Sequence, residues 1–220
     1  MSTVLHIDAS GRQSRSLTRA LSRRFVDGWR AARPQDRVIR RDLAEAPPPL
    51  LSEAWIAAAF TPEAERAAAA REALRYSDAA IAELAEADLI VLGAPMYNYG
   101  MPAALKAWVD QVVRVGRTFS FDLARGDQPI APILTGKRMV VLSARGEFGF
   151  APGGARAARN HLDPHLATVA PYLGVAPEAI RTVAIEYQEF HDDRFDRSRD
   201  AAGHAVDALV AELAGAHVPA

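Results

Sequence analysis

Short apolar runs alternate along this chain with longer amphipathic stretches. Val4-Leu5-His6-Ile7 is rich in strand formers, and the polar stretch Asp8 to Ser16 follows it. Leu17, Leu21, Phe25 and Trp29 recur every fourth residue, which predicts a helix with one buried face and Ser14 or Ser16 as its N-cap. Arg37 to Leu43 alternates apolar and charged and predicts a second strand, and Pro47-Pro48-Pro49 then ends regular structure. Thr61-Pro62-Glu63 predicts the start of a long Ala/Glu/Arg helix reaching Ala87, with Thr at the N-cap and Pro at the first helical position. Leu89 to Ala94 is apolar on both faces and too short for a helix, as in a central parallel strand. Pro102 opens a further helix whose inner face is Leu105, Trp108, Val109 and Val112, with Gly116 placed to end it. Met139 to Ser143 predicts a fourth strand and Ile180 to Ile185 a fifth. Leu166 to Leu173 predicts a short helix interrupted near Pro171, and Ala202, Val206, Leu209 and Leu213 a C-terminal amphipathic helix.

Strands that alternate with helices imply βαβ units and a parallel sheet. The expected architecture is one α/β domain over residues 1–220, with five strands in the flavodoxin-like order 2-1-3-4-5 and helices on both faces. Pro47 to Pro62 is the least regular segment before the central strand. It reads as an excursion that covers a pocket or a partner subunit.

Composition narrows the functional classes. The chain has 220 residues, is 50% hydrophobic and 24% charged, and carries a formal charge of −1. Those values argue for a globular chain and against bulk electrostatic attraction to nucleic acid or an anionic membrane. It has no cysteine, which removes disulfides, thiolate catalysis and cysteine-held clusters. No apolar run approaches the ~20 residues of a membrane span, and no signal peptide is evident, so a cytoplasmic location is expected.

In an open parallel sheet, ligands bind beyond the carboxyl ends of the strands, where the strand order reverses. Three loops should meet there: Ser10 to Ser16, Pro95 to Pro102, and the Gly- and Pro-rich segment Ala144 to Gly154. The first offers three serines and two arginines beside a helix N-terminus, which suits a phosphate. A solvated turn with one capping serine is the competing reading. No G-x-G-x-x-G or G-x-x-x-x-G-K-[ST] is present, so a mononucleotide fits better than a dinucleotide or a triphosphate. The second loop sets two tyrosines, two methionines and Asn98 at the end of a buried strand. They suit a planar heterocycle, or else a hydrophobic cap over the sheet end. His161 and His165 have a ligand-like spacing, but Pro164 lies between them and no third ligand is near, so no metal is expected. Hydrolase motifs are absent.

Pro95-Met96-Tyr97-Asn98-Tyr99, with Pro102-x-x-Leu105-Lys106 and Gly116-x-Thr118-Phe119 after it, resembles the FMN-dependent NADH azoreductases. These are homodimeric flavodoxin-like reductases of quinones and azo compounds. Val4 to Ser16 is similar to their phosphate loop, and Thr135-Gly136-Lys137 with Arg145-Gly146 to their third flavin loop. The resemblance covers most of the chain and is weakest from Pro47 to Pro62 and after Ile185. It implies that Ser10, Ser14, Arg15 and Ser16 hold the FMN phosphate. It implies that Pro95, Met96, Tyr97, Asn98 and Tyr99 line the isoalloxazine and ribityl chain. Ala144, Arg145, Gly146 and Glu147 would then edge the ring's pyrimidine side, although Ala144 stands where a serine is usual and Glu147 where a second glycine is usual. Phe121 is implied on the substrate side. NADH or NADPH would be the donor, and quinones or azo compounds the acceptors. Hydride transfer would be ping-pong through the flavin, without a catalytic side chain, and a backbone N–H or Arg145 would stabilise the anionic reduced ring. A flavin-bound electron carrier or redox sensor without nicotinamide turnover is the alternative.

Overall fold

The computed structural model describes residues 1–215. Its strands are β1 (Thr3–Asp8), β2 (Arg37–Asp42), β3 (Leu89–Pro95), β4 (Phe119–Phe121), β5 (Ile130–Pro132), β6 (Lys137–Ala144) and β7 (Val175–Ile185). Its α-helices are α1 (Leu17–Ala32), α2 (Glu53–Phe60), α3 (Ala68–Glu86), α4 (Ala103–Val112), α5 (Asp163–Val169) and α6 (Asp193–Gly215). The main sheet is parallel and runs β2-β1-β3-β6-β7. Counted by its own five strands, this is the expected order 2-1-3-4-5. The order reverses between β1 and β3, so the carboxyl ends of β1, β3 and β6 form a rim around that point.

Period-2 patterning decides which side chains each layer receives. From β1, Val4 turns toward α1 and α6, whose Phe25, Trp29, Val206 and Leu209 bury one sheet face. Leu5 and Ile7 turn to the other face, against Ile81, Leu84, Leu105 and Trp108 of α3 and α4. β3 has both faces covered and is buried at every position, which accounts for its unbroken apolar run. Among the described residues no helix is long and apolar enough to cross a membrane.

Several local expectations are corrected. The Pro47 to Pro62 excursion contains α2, capped by Ser52, whose Oγ accepts from the Trp55 N–H at 3.1 Å. Trp55 is buried there, and its Nε1 donates to Gln111 Oε1 of α4 at 2.9 Å. Thr61 therefore ends α2 instead of opening the long helix, and its hydroxyl donates back to the Ala57 carbonyl at 2.8 Å. Only a 3-10 turn over Glu63–Glu65 follows Pro62, and α3 starts at Ala68. Arg66 holds the chain in this break by donating from Nε to the carbonyls of Ala58 and Thr61. Gly116 does not end α4. That helix stops at Val112, whose carbonyl takes the Thr118 hydroxyl at 2.9 Å, and Gly116 lies beyond it with φ +73°. The last strand begins at Val175 rather than Ile180, with a register irregularity opposite Lys137 to Met139. The β4–β5 hairpin has no counterpart in the hydrophobic pattern, because three-residue strands show no readable alternation. Leu166 to Leu173 divides as expected near Pro171, into the end of α5 and a 3-10 turn over Ala170–Leu173.

Candidate functional site

The loop after β1 is wrapped around one buried guanidinium. Arg19, in the first turn of α1, donates to the carbonyls of Ser10 (2.8 Å) and Arg12 (2.9 Å) and pairs with Asp42. The Arg19 hydrogen bond holds the Asp42 carboxyl down to about pKa 2, against the opposing effect of burial. Burial alone would raise Asp8, but its contacts with His6, Ser22 and Arg19 outweigh it and leave that carboxyl below its ordinary value. Ser16 is the N-cap, accepting from the Arg19 N–H. Arg15 takes φ +56°, a left-handed conformation that costs a non-glycine residue about 1 kcal/mol. The loop thus buries Ser10 and Ser16 and turns Arg12 and Arg15 outward, neither paired with a carboxylate among the described residues.

The loop after β3 is a tight hairpin. Tyr97 and Gly100 exchange backbone hydrogen bonds of 3.1 and 3.0 Å across Asn98 (φ +48°) and Tyr99 (φ +66°). Positive φ at both central residues is the type I′ arrangement. It presents Tyr97 and Tyr99 at the rim, each 40% exposed. The Met96 N–H donates to the Ala144 carbonyl at 3.0 Å, joining this loop to the next.

The loop after β6 is clamped by the segment that leaves β7. Tyr187, Gln188 and Glu189 donate their N–H groups to the carbonyls of Glu147, Arg145 and Gly146, at 3.1, 3.2 and 3.1 Å. The Glu186 carboxylate accepts from the N–H groups of Gly149 and Phe150. The Arg145 side chain does not face the rim. It is buried and paired with Asp163 (2.6 Å) and Glu186 (3.5 Å), and its backbone N–H is spent on the Ile185 carbonyl. Of the two donors expected for the ring, the Arg145 guanidinium is thus turned to Asp163 and Glu186 with Nε unpartnered, and the Arg145 backbone N–H is already used. Glu147 points the other way: Oε2 accepts from the Tyr99 hydroxyl at 3.2 Å and Oε1 from Arg156 Nε at 3.1 Å.

The three loops enclose a groove made of two joined recesses. The first, about 160 Å³, is lined by Ser10, Arg12, Arg15, Ser16 and Thr18 on one side and by Pro95, Tyr97, Ala144, Gln188 and Glu189 on the other. The second, about 230 Å³, is lined by Asn98, Tyr99, Glu147 and Phe150. Met96 and Gly146 belong to both. Most of the expected residues are brought together. Ser14 lies outside, in a neighbouring surface hollow with Gln13 and His191. Phe121, in β4, is 54% exposed and lines neither recess. Arg12 and Phe150 fall within the expected loops without having been assigned as ligands, and from outside those loops the groove also takes in Thr18, Gln188 and Glu189. The last two follow the fifth main-sheet strand, whose carboxyl end reaches the same rim, so the strand-end rule could have found them. No cluster of metal-ligating side chains occurs among the described residues.

One end of this groove carries hydroxyls, two guanidinium groups and a helix N-terminus, which suits a dianionic phosphate. The other end is built of Met96, Tyr99 and Phe150, with Asn98 as a polar handle, and suits a planar ring system. The set fits a mononucleotide with a large flat base.

Comparison with known proteins agrees with this shape. A family model described as the flavodoxin-like fold matches residues 2–210. FMN-dependent NADH:quinone oxidoreductase 2 of Colwellia psychrerythraea is 47% identical, over 97% of this chain and 100% of its own length. FMN-dependent NAD(P)H:quinone oxidoreductase 1 of Pseudomonas aeruginosa is 42% identical, over 95% of this chain and 98% of its own. Among solved structures, an azoreductase from Bacillus anthracis superposes with TM-score 0.84 at 22% identity, covering 96% of this chain and 100% of that one. An FMN-dependent NADH-azoreductase of the same species, in complex with FMN, does so with TM-score 0.84 at 17% identity, covering 97% and 100%. At those identities the two structures establish a shared fold.

Proposed function

This chain belongs to the flavodoxin-like fold family and, within it, to the FMN-dependent NADH:quinone oxidoreductases, and we propose from that membership that it binds FMN and reduces quinones and azo compounds with NADH or NADPH. The observation that carries the reading is the groove where three strand-end loops put a phosphate-suited end beside an aromatic one.

Ser10, Arg15 and Ser16, with Arg12 and the nearby Ser14, would hold the FMN phosphate. Pro95, Met96, Tyr97, Asn98 and Tyr99 would line the ribityl chain and ring, with Ala144, Gly146 and Glu147 along the pyrimidine edge. Bound FMN would supply the hydride and electron chemistry. The chain's own work is to orient and shield. The I′ hairpin sets Tyr97 and Tyr99 at the groove rim. The segment after β7 holds the Gly146 backbone in place. Buried Arg145 braces that loop from behind through Asp163 and Glu186. One open groove would serve donor and acceptor in turn, which is the basis for a ping-pong order. No side chain is assigned as an acid–base catalyst.

A homodimer is part of the same reading. Leu50, Phe60, Phe121 and Leu123 are 79, 73, 54 and 75% exposed and are the large apolar side chains such an interface would cover. Phe121 is assigned to the acceptor side within that dimer. The location proposed is the cytoplasm, where the nicotinamide donor is available. Sedimentation and cell fractionation test these two points.

The deciding experiment is the visible spectrum of the purified protein, followed by NADH and NADPH oxidation with menadione and a simple azo dye. Flavin absorbance with turnover is expected. Bound flavin without nicotinamide oxidation would favour an electron carrier or redox sensor. A colourless protein that ignores added FMN would sink the proposal.

A further inference from the structure

We propose that Glu147 sorts acceptors by charge, disfavouring anionic ones and favouring neutral or cationic ones, an inference that rests on the oxidoreductase reading above. The second recess is where the planar part of the groove lies, and its lining holds a single ionisable carboxylate. Of its six lining residues, Met96, Asn98, Tyr99, Gly146 and Phe150 carry no charge at neutral pH, and the sixth is Glu147. The Glu147 side chain is half-buried and cannot swing freely. Its two oxygens are held separately, one by the Tyr99 hydroxyl and one by Arg156.

The counter-charge is kept on the far side. Arg156 does not line either recess. Its guanidinium lies 4.3 Å from the centroid of the Phe148 ring and also donates to the Phe148 carbonyl. Phe148 is in turn stacked on Tyr187, with ring centroids 4.5 Å apart and planes inclined by 11°. Arg156 is therefore anchored outside the recess lining, and an acceptor stacking over a ring held in the second recess would meet the Glu147 carboxylate at the recess edge before the cation. Arg12 and Arg15 belong to the first recess, where a bound phosphate would neutralise them. A fixed charge in a half-buried recess is poorly screened, so a sulfonate or carboxylate within a few ångströms should bind about tenfold more weakly than a neutral group of the same shape. Arg156 moderates the effect from behind and sets its size.

The test uses the FMN-loaded protein and compares KM for 1,2-naphthoquinone-4-sulfonate with KM for menadione. Glu147→Gln keeps an acceptor oxygen in place but removes the charge, and the ratio of the two KM values should fall about tenfold. Arg156→Met removes the counter-charge, and the ratio should rise. Calorimetric binding of naphthalene-2-sulfonate and 2-naphthol gives the same comparison without turnover, so a folded, FMN-loaded variant that has lost activity does not hide the answer. A ratio within twofold of wild type in Glu147→Gln, or shifts of the same sign in both variants, would overturn the proposal. Absence of menadione turnover in the wild type would count against the oxidoreductase reading instead, and the calorimetric arm would still report on Glu147.

Discussion

A Cβ built on Gly146 would lie 2.9 Å from Cγ of Glu189. The closeness follows from the backbone clamp, in which the Glu189 N–H donates to the Gly146 carbonyl at 3.1 Å. Both residues also line the first recess. A methyl group at position 146 must displace the exposed Glu189 side chain from its rotamer, at a cost of about 1 kcal/mol, and takes up room in the first recess. Gly146→Ala should lower the urea midpoint and weaken FMN binding, and adding Glu189→Ala should restore most of both. Unchanged stability and FMN affinity in Gly146→Ala would show that the Glu189 side chain does not pack on Gly146 as described.

The acid limb of stability should carry the mark of Asp42. Its carboxyl is held at about 2, below the ordinary 3.8, chiefly by the hydrogen bond from Arg19. The folded state then binds this proton less readily than the unfolded chain does. The stabilisation is complete above pH ~4, declines as the pH falls from there, and is gone below pH ~2; its size is on the order of 2 kcal/mol. Asp8, also lowered, adds in the same direction. Urea midpoints measured from pH 2 to 6 should fall steeply at the acid end in the wild type and less steeply in Asp42→Asn.

Arg145 is expected to matter for stability before it matters for the flavin. Arg145→Met would leave Asp163 and Glu186 facing a gap where the guanidinium now sits. Breaking one side of a buried ion pair typically costs 3–5 kcal/mol. The melting temperature should drop by several degrees, and Asp163→Asn in the same chain should recover part of the loss. A variant with unchanged melting but much weaker FMN binding would return Arg145 to the role of ring donor.

The loop after β1 can be tested through its preference for a phosphate. Arg15→Ala should weaken FMN binding at least tenfold while changing riboflavin binding little, because riboflavin lacks the phosphate. Ser16→Ala should cost about 1 kcal/mol of stability as well, since Ser16 also caps α1. Fluorescence titration with the two flavins separates the effects. Equal losses for FMN and riboflavin in Arg15→Ala would remove Arg15 from the phosphate site.

Much of this molecule was written in local sequence. The apolar run Leu89 to Ala94 could only be a strand covered on both faces, and the four-residue recurrence from Leu17 to Trp29 could only bury one side of a helix. Alternation of the two element types then left the parallel sheet order and its switch point as the consistent arrangement, and with them the three loops that meet. Those are properties of residues near one another in the chain, where periodicity and capping act. The direction of individual side chains was decided elsewhere. Arg145 looks like a rim residue in sequence, yet it turns inward because Asp163 and Glu186, contributed by α5 and the end of β7, offer it two carboxylates out of water. Thr61 and Pro62 carry a helix-start signal, yet α2 ends there because Trp55 finds a buried partner in Gln111 of α4. Gln188 and Glu189 enter the groove only through backbone bonds to a loop some forty residues earlier. Burial and pairing between distant segments are worth more than a local propensity of a few tenths of a kcal/mol, and they exist only once the sheet has brought those segments together.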